Sequence, residues 1–165
     1  MDDYASVLTL RKIRSVRREF HVLNDSGNVL YFVRQKKFSY GRTLLVFDPE
    51  GNQVGVIRQC FALILPKYQI RIGQNEAYII RRKFSLTIGY TISELPWVFE
   101  GNFTGSHICV SDAGNHPLFV MSRISHSLTD KYHITLYDAK QLLLSICITF
   151  ALDSVEQDLH RTAKS

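Results

Sequence analysis

Cysteine is scarce in this chain, and its few copies are not arranged for cross-linking or metal binding. The three cysteines, Cys60, Cys109 and Cys147, are an odd number and contain no CxxC pair. This pattern argues against a disulfide framework or a zinc ribbon and predicts reduced thiols, as in cytosolic proteins. Residues 1–15 also lack the apolar segment of a secretory signal. We therefore expect a cytoplasmic protein, with a peripheral position at a membrane left open.

Catalytic and metal-binding motifs are absent from the sequence as well. The six histidines show neither HxH nor HExxH spacing, so no zinc site is predicted. No G-x-S-x-G elbow, P-loop or GxGxxG segment occurs. The acidic segment 48–52 (DPEGN) lacks the spaced carboxylates and the terminal glutamate of a calcium loop. We predict that the protein is not an enzyme and that it needs no metal and no cofactor.

The charge of the chain is moderately basic, with 20 Lys and Arg against 15 Asp and Glu and a net charge of +5. That excess fits an anionic partner such as a phospholipid surface, and it fits good solubility alone equally well. Nothing but charge points to nucleic acid, so none is expected. A hydrophobic fraction of 45% argues against disorder, and the length predicts a single domain over residues 1–165.

A phrase of basic residues followed by an aromatic is written three times. The copies are FVRQKKFSY at 32–40, VIRQCFAL at 56–63 and IIRRKFSL at 79–86. The residues that follow the aromatics, Ser39, Ala62 and Ser85, are spaced by 23 positions. A repeat of this length indicates one supersecondary unit used several times.

Turn elements with Asp before Gly-Asn separate these phrases. They occur at 24–28 (NDSGN), 48–52 (DPEGN) and 111–115 (SDAGN). Asp caps such a turn and Gly supplies its positive φ. The intervening short runs are rich in Val, Ile, Phe and Tyr, as strands are. The pattern predicts about twelve strands in consecutive hairpins between Leu8 and Tyr137, and closing this meander would remove its exposed edges.

One apolar helix is predicted after the strands. Asp138 is its N-cap, and nine of the eleven residues in 142–152 (LLLSICITFAL) are apolar. A helix that is apolar all round is either buried or membrane-spanning. Eleven residues rise about 16 Å, roughly half of a bilayer core, and Asp153 follows at once. We therefore predict a helix buried in the lumen of a closed β-barrel, which is too wide for side chains alone to fill.

These features resemble the LURP-one-related family, which shares the tubby C-terminal-like fold. The resemblance rests on the Gly-Asn turns, on 34–39 (RQKKFS), on 65–70 (LPKYQI), on 97–103 (WVFEGNF) and on the late apolar helix. It implies a mainly β fold: an antiparallel closed barrel of about twelve strands enclosing a hydrophobic C-terminal α-helix. It also implies a core at about 8–153, a polar tail at 154–165, and no known enzymatic activity. Relatives of the fold include tubby proteins, which bind phosphoinositide head groups, and phospholipid scramblases, but no site residue carries over.

The basic residues of the repeated phrase are the candidate binding residues. Equivalent positions of successive hairpins lie about 10 Å apart, so the repeat predicts a basic row that grips anionic phospholipid or a phosphorylated ligand. The candidates are Arg11, Arg34, Lys36, Arg58, Arg81, Arg82 and Arg123. Adjacent strand positions point to opposite faces, so a bulge must intervene or one set must lie at the rim. The aromatic of each phrase is expected to pack.

Three other interpretations stay open. The basic row is equally explained as a solvated face that keeps the outer strands from aggregating. The protein would then be an interaction scaffold for a protein partner, using exposed loops such as 103–107. A scramblase-like membrane protein with 142–152 inserted is the third interpretation. A monomer is favoured over an oligomer.

Overall fold

The strands and the helix follow the order that the hairpin pattern predicts. The computed structural model describes residues 6–13, 18–83, 89–102 and 106–164. Within these ranges twelve strands precede a 3-10 turn at Ala139–Gln141 and helix α1 at Leu142–Thr162. The strands are β1 (Ser6–Ile13), β2 (Glu19–Leu23), β3 (Val29–Gln35), β4 (Thr43–Phe47), β5 (Gln53–Cys60), β6 (Lys67–Ile72), β7 (Glu76–Arg82), β8 (Tyr90–Ile92), β9 (Val98–Gly101), β10 (His107–Ser111), β11 (Pro117–Arg123) and β12 (Asp130–Leu136).

The twelve strands form one antiparallel sheet that curls into a nearly closed barrel. Sequence neighbours are paired through most of the sheet, and β1 also pairs with β12, which gives the order β8-β7-β6-β5-β4-β3-β2-β1-β12-β11-β10-β9. The two ends of this order meet, because the rings of Tyr90 on β8 and Phe99 on β9 pack edge to face with centroids 6.3 Å apart. The predicted barrel is confirmed, with an aromatic contact between β8 and β9.

Side chains alternate between the lumen and the outside along each strand. In β5, Gly55 and Ile57 are buried, whereas Val56 is half-buried and Arg58 is exposed. A Cβ at position 55 would lie 3.4 Å from the Sγ atom of Cys147 on α1. Glycine therefore lets the helix approach the wall closely at this strand.

Helix α1 fills the lumen. Every residue from Leu144 to Val155 is buried, as predicted for a core helix. Its two hydroxyls are satisfied within the helix: Ser145 donates to the carbonyl of Leu142 and Thr149 to that of Ser145, each at 2.8 Å. Among the described residues no helix is both long and apolar enough to span a membrane.

The helix differs from the prediction in its length. It continues to Thr162, so most of the expected polar tail at 154–165 is helical. Asp153 and Ser154 are buried there rather than exposed. The polar residues of these turns are compatible with the lumen because the barrel wall supplies partners for their carboxylates, as described below.

The repeated turns close the hairpins at the end where α1 begins. The carboxylate of Asp48 accepts a hydrogen bond from the backbone N–H of Asn52 at 2.8 Å, and Gly51 has a φ of 88°, as predicted. The third turn differs, because Asn115 takes the left-handed conformation with a φ of 62°. Asn tolerates that conformation without glycine.

Candidate functional site: the basic end of the barrel

The two ends of the barrel differ in charge. The loops at the end where α1 begins contain six acidic residues and no Lys or Arg, although the exposed Lys140 lies in the 3-10 turn that follows the last of them. These loops are 24–28, 48–52, 73–75, 93–97, 112–116 and 137–138, and the acids are Asp25, Asp48, Glu50, Glu94, Asp112 and Asp138. The described loops at the opposite end, 36–42, 61–66 and 124–129, contain no acid but carry Lys36, Lys37 and Arg42. We call these the acidic end and the basic end.

The basic end also exposes apolar side chains. Of the large apolar residues that the structure describes, the six most exposed all lie in the three loops of the basic end. Their exposure runs from 76% to 103%, whereas the next most exposed, Tyr137, reaches 44%. The six, here named the apolar tips, are Phe38, Tyr40, Phe61, Leu63, Ile64 and Leu128.

The position of the phrase's aromatic corrects the sequence prediction. Phe38 and Phe61 were expected to pack in the barrel, but each follows the end of its strand and lies in a loop. The prediction is wrong because the strand ends before the aromatic, at Gln35 and at Cys60. The third aromatic, Phe84, lies outside the described residues.

Two of the predicted arginines on the outer wall are ion-paired. Arg11 donates to Asp130 through Nε at 2.6 Å, and this hydrogen bond holds the pKa of Asp130 below its usual range. Arg34 donates to Glu19 through Nε at 3.0 Å, and its guanidinium lies 5.3 Å from the ring centroid of Phe47. These arginines link neighbouring strands. Their positive charge is offset by a carboxylate, so they are weaker candidates for binding an anionic ligand.

The remaining outer residues are less engaged. Lys36 is exposed in the first loop, and Arg58 is exposed with no side-chain partner among the described residues. Arg81 makes one 3.4 Å contact from Nε to the hydroxyl of Thr91. These three residues lie beside the apolar tips and are available to an external anion.

The outer arginines do not converge on one point. Arg34 is opposite Leu45, which is opposite Val56, so Arg58 lies two residues farther along β5. The same shift separates Arg58 from Arg81, because Ile79 is the residue level with Arg58 through Gln69. Two strand spacings and two residues place adjacent arginines about 12 Å apart. They form a staggered band around the wall rather than a pocket.

Arg82 and Arg123 lie on the lumen side of the barrel wall. This explains how the adjacent residues Arg81 and Arg82 can both be placed, since they face opposite sides of the strand. No bulge is needed at Arg81, because Arg82 turns inward at the rim and lies 4.0 Å from Glu156 of α1. Arg123 follows the buried Met121 on β11 and lines the mouth of the lumen beside Lys12. The predicted row is therefore two sets: an outer band and an inner rim.

The last turns of α1 are fastened to the inner rim by tyrosines. Tyr68 donates to Asp158 at 2.6 Å and Tyr132 donates to Asp153 at 2.7 Å. Tyr90 likewise donates to Glu156. Burial, and then the adjoining carboxylates, raise the pKa values of the tyrosine hydroxyls above their usual value.

Each of these carboxylates also has a cation. Nζ of Lys131 lies 3.7 Å from Asp153, and Nη2 of Arg42 lies 3.3 Å from Asp158, as Arg82 lies near Glu156. Three Tyr–carboxylate–cation sets therefore surround the helix, which explains why a charged segment sits inside a barrel.

No catalytic or metal-binding arrangement emerges in the part of the chain that the structure describes. It holds no cluster of three or more His, Cys, Asp or Glu residues able to hold a metal ion. Cys60, Cys109 and Cys147 are free thiols. Burial raises the pKa of Cys147 to about 12, so this thiol stays protonated at neutral pH and is a packing residue.

Sequence reasoning missed the apolar tips and left the inner cations Lys12, Arg42 and Lys131 out of the candidate binding residues. One signal for the tips was present: the run FALILP at 61–66 is apolar without the alternation of a half-buried strand, and it ends at Pro66. Lys12 shares the repeat position of Lys36 and Arg82, whereas Arg42 and Lys131 carried no comparable signal. Lys131 turns inward only because the register shifts between Leu10 and Arg11 opposite β12.

Comparison with known proteins agrees with this fold. The family model described as LURP-one-related matches residues 6–153. The uncharacterized protein YxjI of Bacillus subtilis (strain 168) is 26% identical over 146 residues, which cover 88% of this chain and 90% of YxjI. A protein of Arabidopsis thaliana with an X-ray structure superposes with a TM-score of 0.63 and 17% identity, covering 93% of each chain. This structural likeness concerns the fold alone.

Proposed function

The chain belongs to the LURP-one-related family, and from that premise we propose that it is a non-enzymatic binding protein that docks peripherally on an anionic phospholipid surface through its basic end. The observation that carries the proposal is the coincidence of two features. The apolar tips and the cations Lys36, Arg58 and Arg81, none of which has an acidic partner among the described residues, occupy the same end of the barrel.

The apolar tips supply the first part of the interaction. Exposed apolar groups that cluster on one surface mark a binding site, whereas isolated ones need no explanation. Burying a Phe or Leu side chain contributes about 1.5–3 kcal/mol. Aromatic and aliphatic side chains on loops suit the boundary between head groups and acyl chains.

The cations supply the second part. A Lys or Arg near an anionic membrane surface contributes about 1 kcal/mol. Stable peripheral binding needs two such signals together, an inserted apolar group and a basic patch. The loops of the basic end provide both without an acidic residue that would repel the lipid.

The acidic end sets the orientation. With six carboxylates on its loops and cations at the opposite end, the barrel carries a separation of charge along its axis. A negative surface attracts one end and repels the other. The apolar tips therefore face the lipid on encounter.

Vesicle co-sedimentation tests the proposal. The protein is mixed with phosphatidylcholine vesicles, with and without phosphatidylserine, and the bound fraction is measured as salt is raised. We expect binding to the anionic vesicles only, weakening as salt increases. The double variant Leu63→Ser/Ile64→Ser should bind at least tenfold more weakly, since about 1.4 kcal/mol corresponds to tenfold. Arg58→Glu/Arg81→Glu should lose a similar amount.

Matched variants at other surfaces control for general effects. Arg71 is exposed on β6, and Tyr137 is the most exposed large apolar residue outside the tips in the part of the chain that the structure describes. Arg71→Glu and Tyr137→Ser should bind anionic vesicles like the original chain. If the wild type does not bind them at low salt, the proposal fails and the apolar tips become a candidate surface for a protein partner.

A further inference from the structure

A cavity of about 290 Å³ opens at the basic end, between the barrel wall and the last turns of α1. Six cations line it, contributed by β1, β11, β12, two loop positions and α1, against a single acid, Asp153. The cations are Lys12, Arg18, Arg42, Arg123, Lys131 and Arg161. Residues distant in sequence thus place like charges around one concave space.

Arg42 is the most unusual of these residues. Its side chain is only 8% exposed, and its Nη1 atom donates to the carbonyl of Ser154 at 3.4 Å. Its Nη2 atom is fully buried without a hydrogen bond among the described residues, although it lies 3.3 Å from Oδ1 of Asp158. Arg42 is therefore held against the last turns of α1 while it lines the wall of the cavity.

The protein's own carboxylates do not balance the cavity. Asp153 faces Lys131 and also accepts from Tyr132 and Gln157, and Asp158 offsets Arg42. Lys12 and Arg123 have no side-chain partner among the described residues. The C-terminus of α1 adds about half a negative charge, which leaves the cavity strongly positive.

We propose that this cavity is a binding site for a phosphorylated group that carries at least two negative charges. Arginines present a fork of donors that matches phosphate oxygens, and lysines add point charge. The volume lies at the low end of small-molecule sites, which suits a phosphate or diphosphate group and excludes a large cofactor. The group belongs either to a soluble phosphorylated ligand or to a lipid head group. The site extends the proposed function. Only the lipid source of the phosphate depends on that proposed function; binding of a soluble ligand does not.

The position of the cavity allows access both to a soluble phosphorylated ligand and to a lipid head group. Gln35 and Arg42, at the two ends of the loop that carries Phe38 and Tyr40, both line the cavity. A membrane touching the tips would bring its head groups to the mouth, while a free barrel leaves the same mouth open to water.

Calorimetric titration with inorganic pyrophosphate tests the site directly. We expect saturable binding with one site per chain, weakened at least tenfold by Lys12→Gln/Arg123→Gln. Both side chains are exposed at the rim, so thermal unfolding should be unchanged. Arg71→Gln removes a charge from the outer wall and should leave binding intact. Absence of pyrophosphate binding, or equal weakening by the Arg71 variant, would overturn the site.

Vesicles distinguish the source of the phosphate and separate this inference from the proposed function. Lys12→Gln/Arg123→Gln should weaken binding to phosphatidic acid vesicles if the ligand is a head group, and leave it unchanged if the ligand is soluble. Leu63→Ser/Ile64→Ser should weaken vesicle binding but not pyrophosphate binding. If the protein binds vesicles but not pyrophosphate, the cavity site is refuted and membrane docking stands. If it binds pyrophosphate but not vesicles, membrane docking is refuted and the cavity site stands.

Discussion

The acidic end and the basic end use their charges differently. At the acidic end, the carboxylate of Asp112 accepts hydrogen bonds from the backbone N–H groups of Gly114 and His116, and Asp48 is satisfied within its own turn in the same way. Those acids build the turns. At the basic end, Arg58 and Lys12 have no such local partner. Charged side chains without a partner in the fold are better candidates for a binding role than those that are bonded within their own turn.

The same difference holds for apolar residues. Val33 and Ile57 are fully buried, whereas the loops that follow their strands project Phe38 and Leu63 into solvent. Solubility alone favours polar loops. In the described part of the chain, the most exposed apolar loops lie at the same end as cations without a side-chain partner, and the proposed docking rests on this coincidence.

The largest stability effect is expected where the basic end holds the helix. Tyr132→Phe removes the hydroxyl that donates to Asp153, and should lower the free energy of unfolding by about 1–3 kcal/mol because a buried acceptor loses its donor. Chemical denaturation measures the change. Tyr137→Phe, at the half-exposed tyrosine of the acidic end, should change it by less than about 0.5 kcal/mol. Equal effects would show that the tyrosine–carboxylate contact does not hold the helix.

A smaller effect is expected at the turns of the acidic end. Gly51 has a φ of 88° with no atom near its missing Cβ, so Gly51→Ala meets backbone strain without a clash and should cost about 1–2 kcal/mol. Gly51→Asn should cost less, because Asn115 adopts this conformation in the third copy of the turn. Thermal unfolding of the two variants gives the ranking. If Ala is tolerated as well as Asn, the left-handed requirement is wrong.

The smallest effect is expected in the pH dependence of stability. Hydrogen bonds from Asn52 and from the backbone of His116 lower the pKa values of Asp48 and Asp112 respectively. A lowered folded-state pKa contributes stability that is present above about 4 and lost as pH falls through the folded value. Burial raises the pKa values of Tyr68 and Tyr90, so their contribution is present below about 10 and lost as pH rises.

The Asp48→Asn/Asp112→Asn variant measures this difference. Its denaturation midpoint should depend less on pH on the acid side, while its alkaline side matches the wild type. A change on the alkaline side instead would contradict the assignment of the acid-side loss of stability to Asp48 and Asp112.

Several features were predictable because they depend on local chemistry. The hairpin repeat predicted twelve strands. Asp138 does act as a cap, accepting from the N–H of Lys140 at 3.0 Å, but it caps the 3-10 turn that leads into α1 rather than α1 itself. The apolar run after it was correctly interpreted as a buried helix. Period-2 alternation and turn chemistry involve only neighbours along the chain, so the sequence displays them directly.

The site was less predictable because it depends on strand ends and on register. Phe38 was expected to pack, and its exposure follows from the end of β3 at Gln35. Strand ends are the least certain part of a sequence-based prediction because pairing with neighbours determines them. Arg123 was placed in the same row as Arg11, although it lies on the inner rim. Register decides which face a residue occupies.

By itself the sequence determined the type and order of the elements, the turns, and the presence of a core helix, since each follows from short-range pattern. Only the tertiary structure decided which cations share a space. Lys12, Arg42, Arg123 and Lys131 come together because the sheet closes on itself, with β1 paired to β12 and α1 threaded through the lumen. Closure was predicted, but which side chains it brings together depends on long-range register, and no local pattern encodes that register.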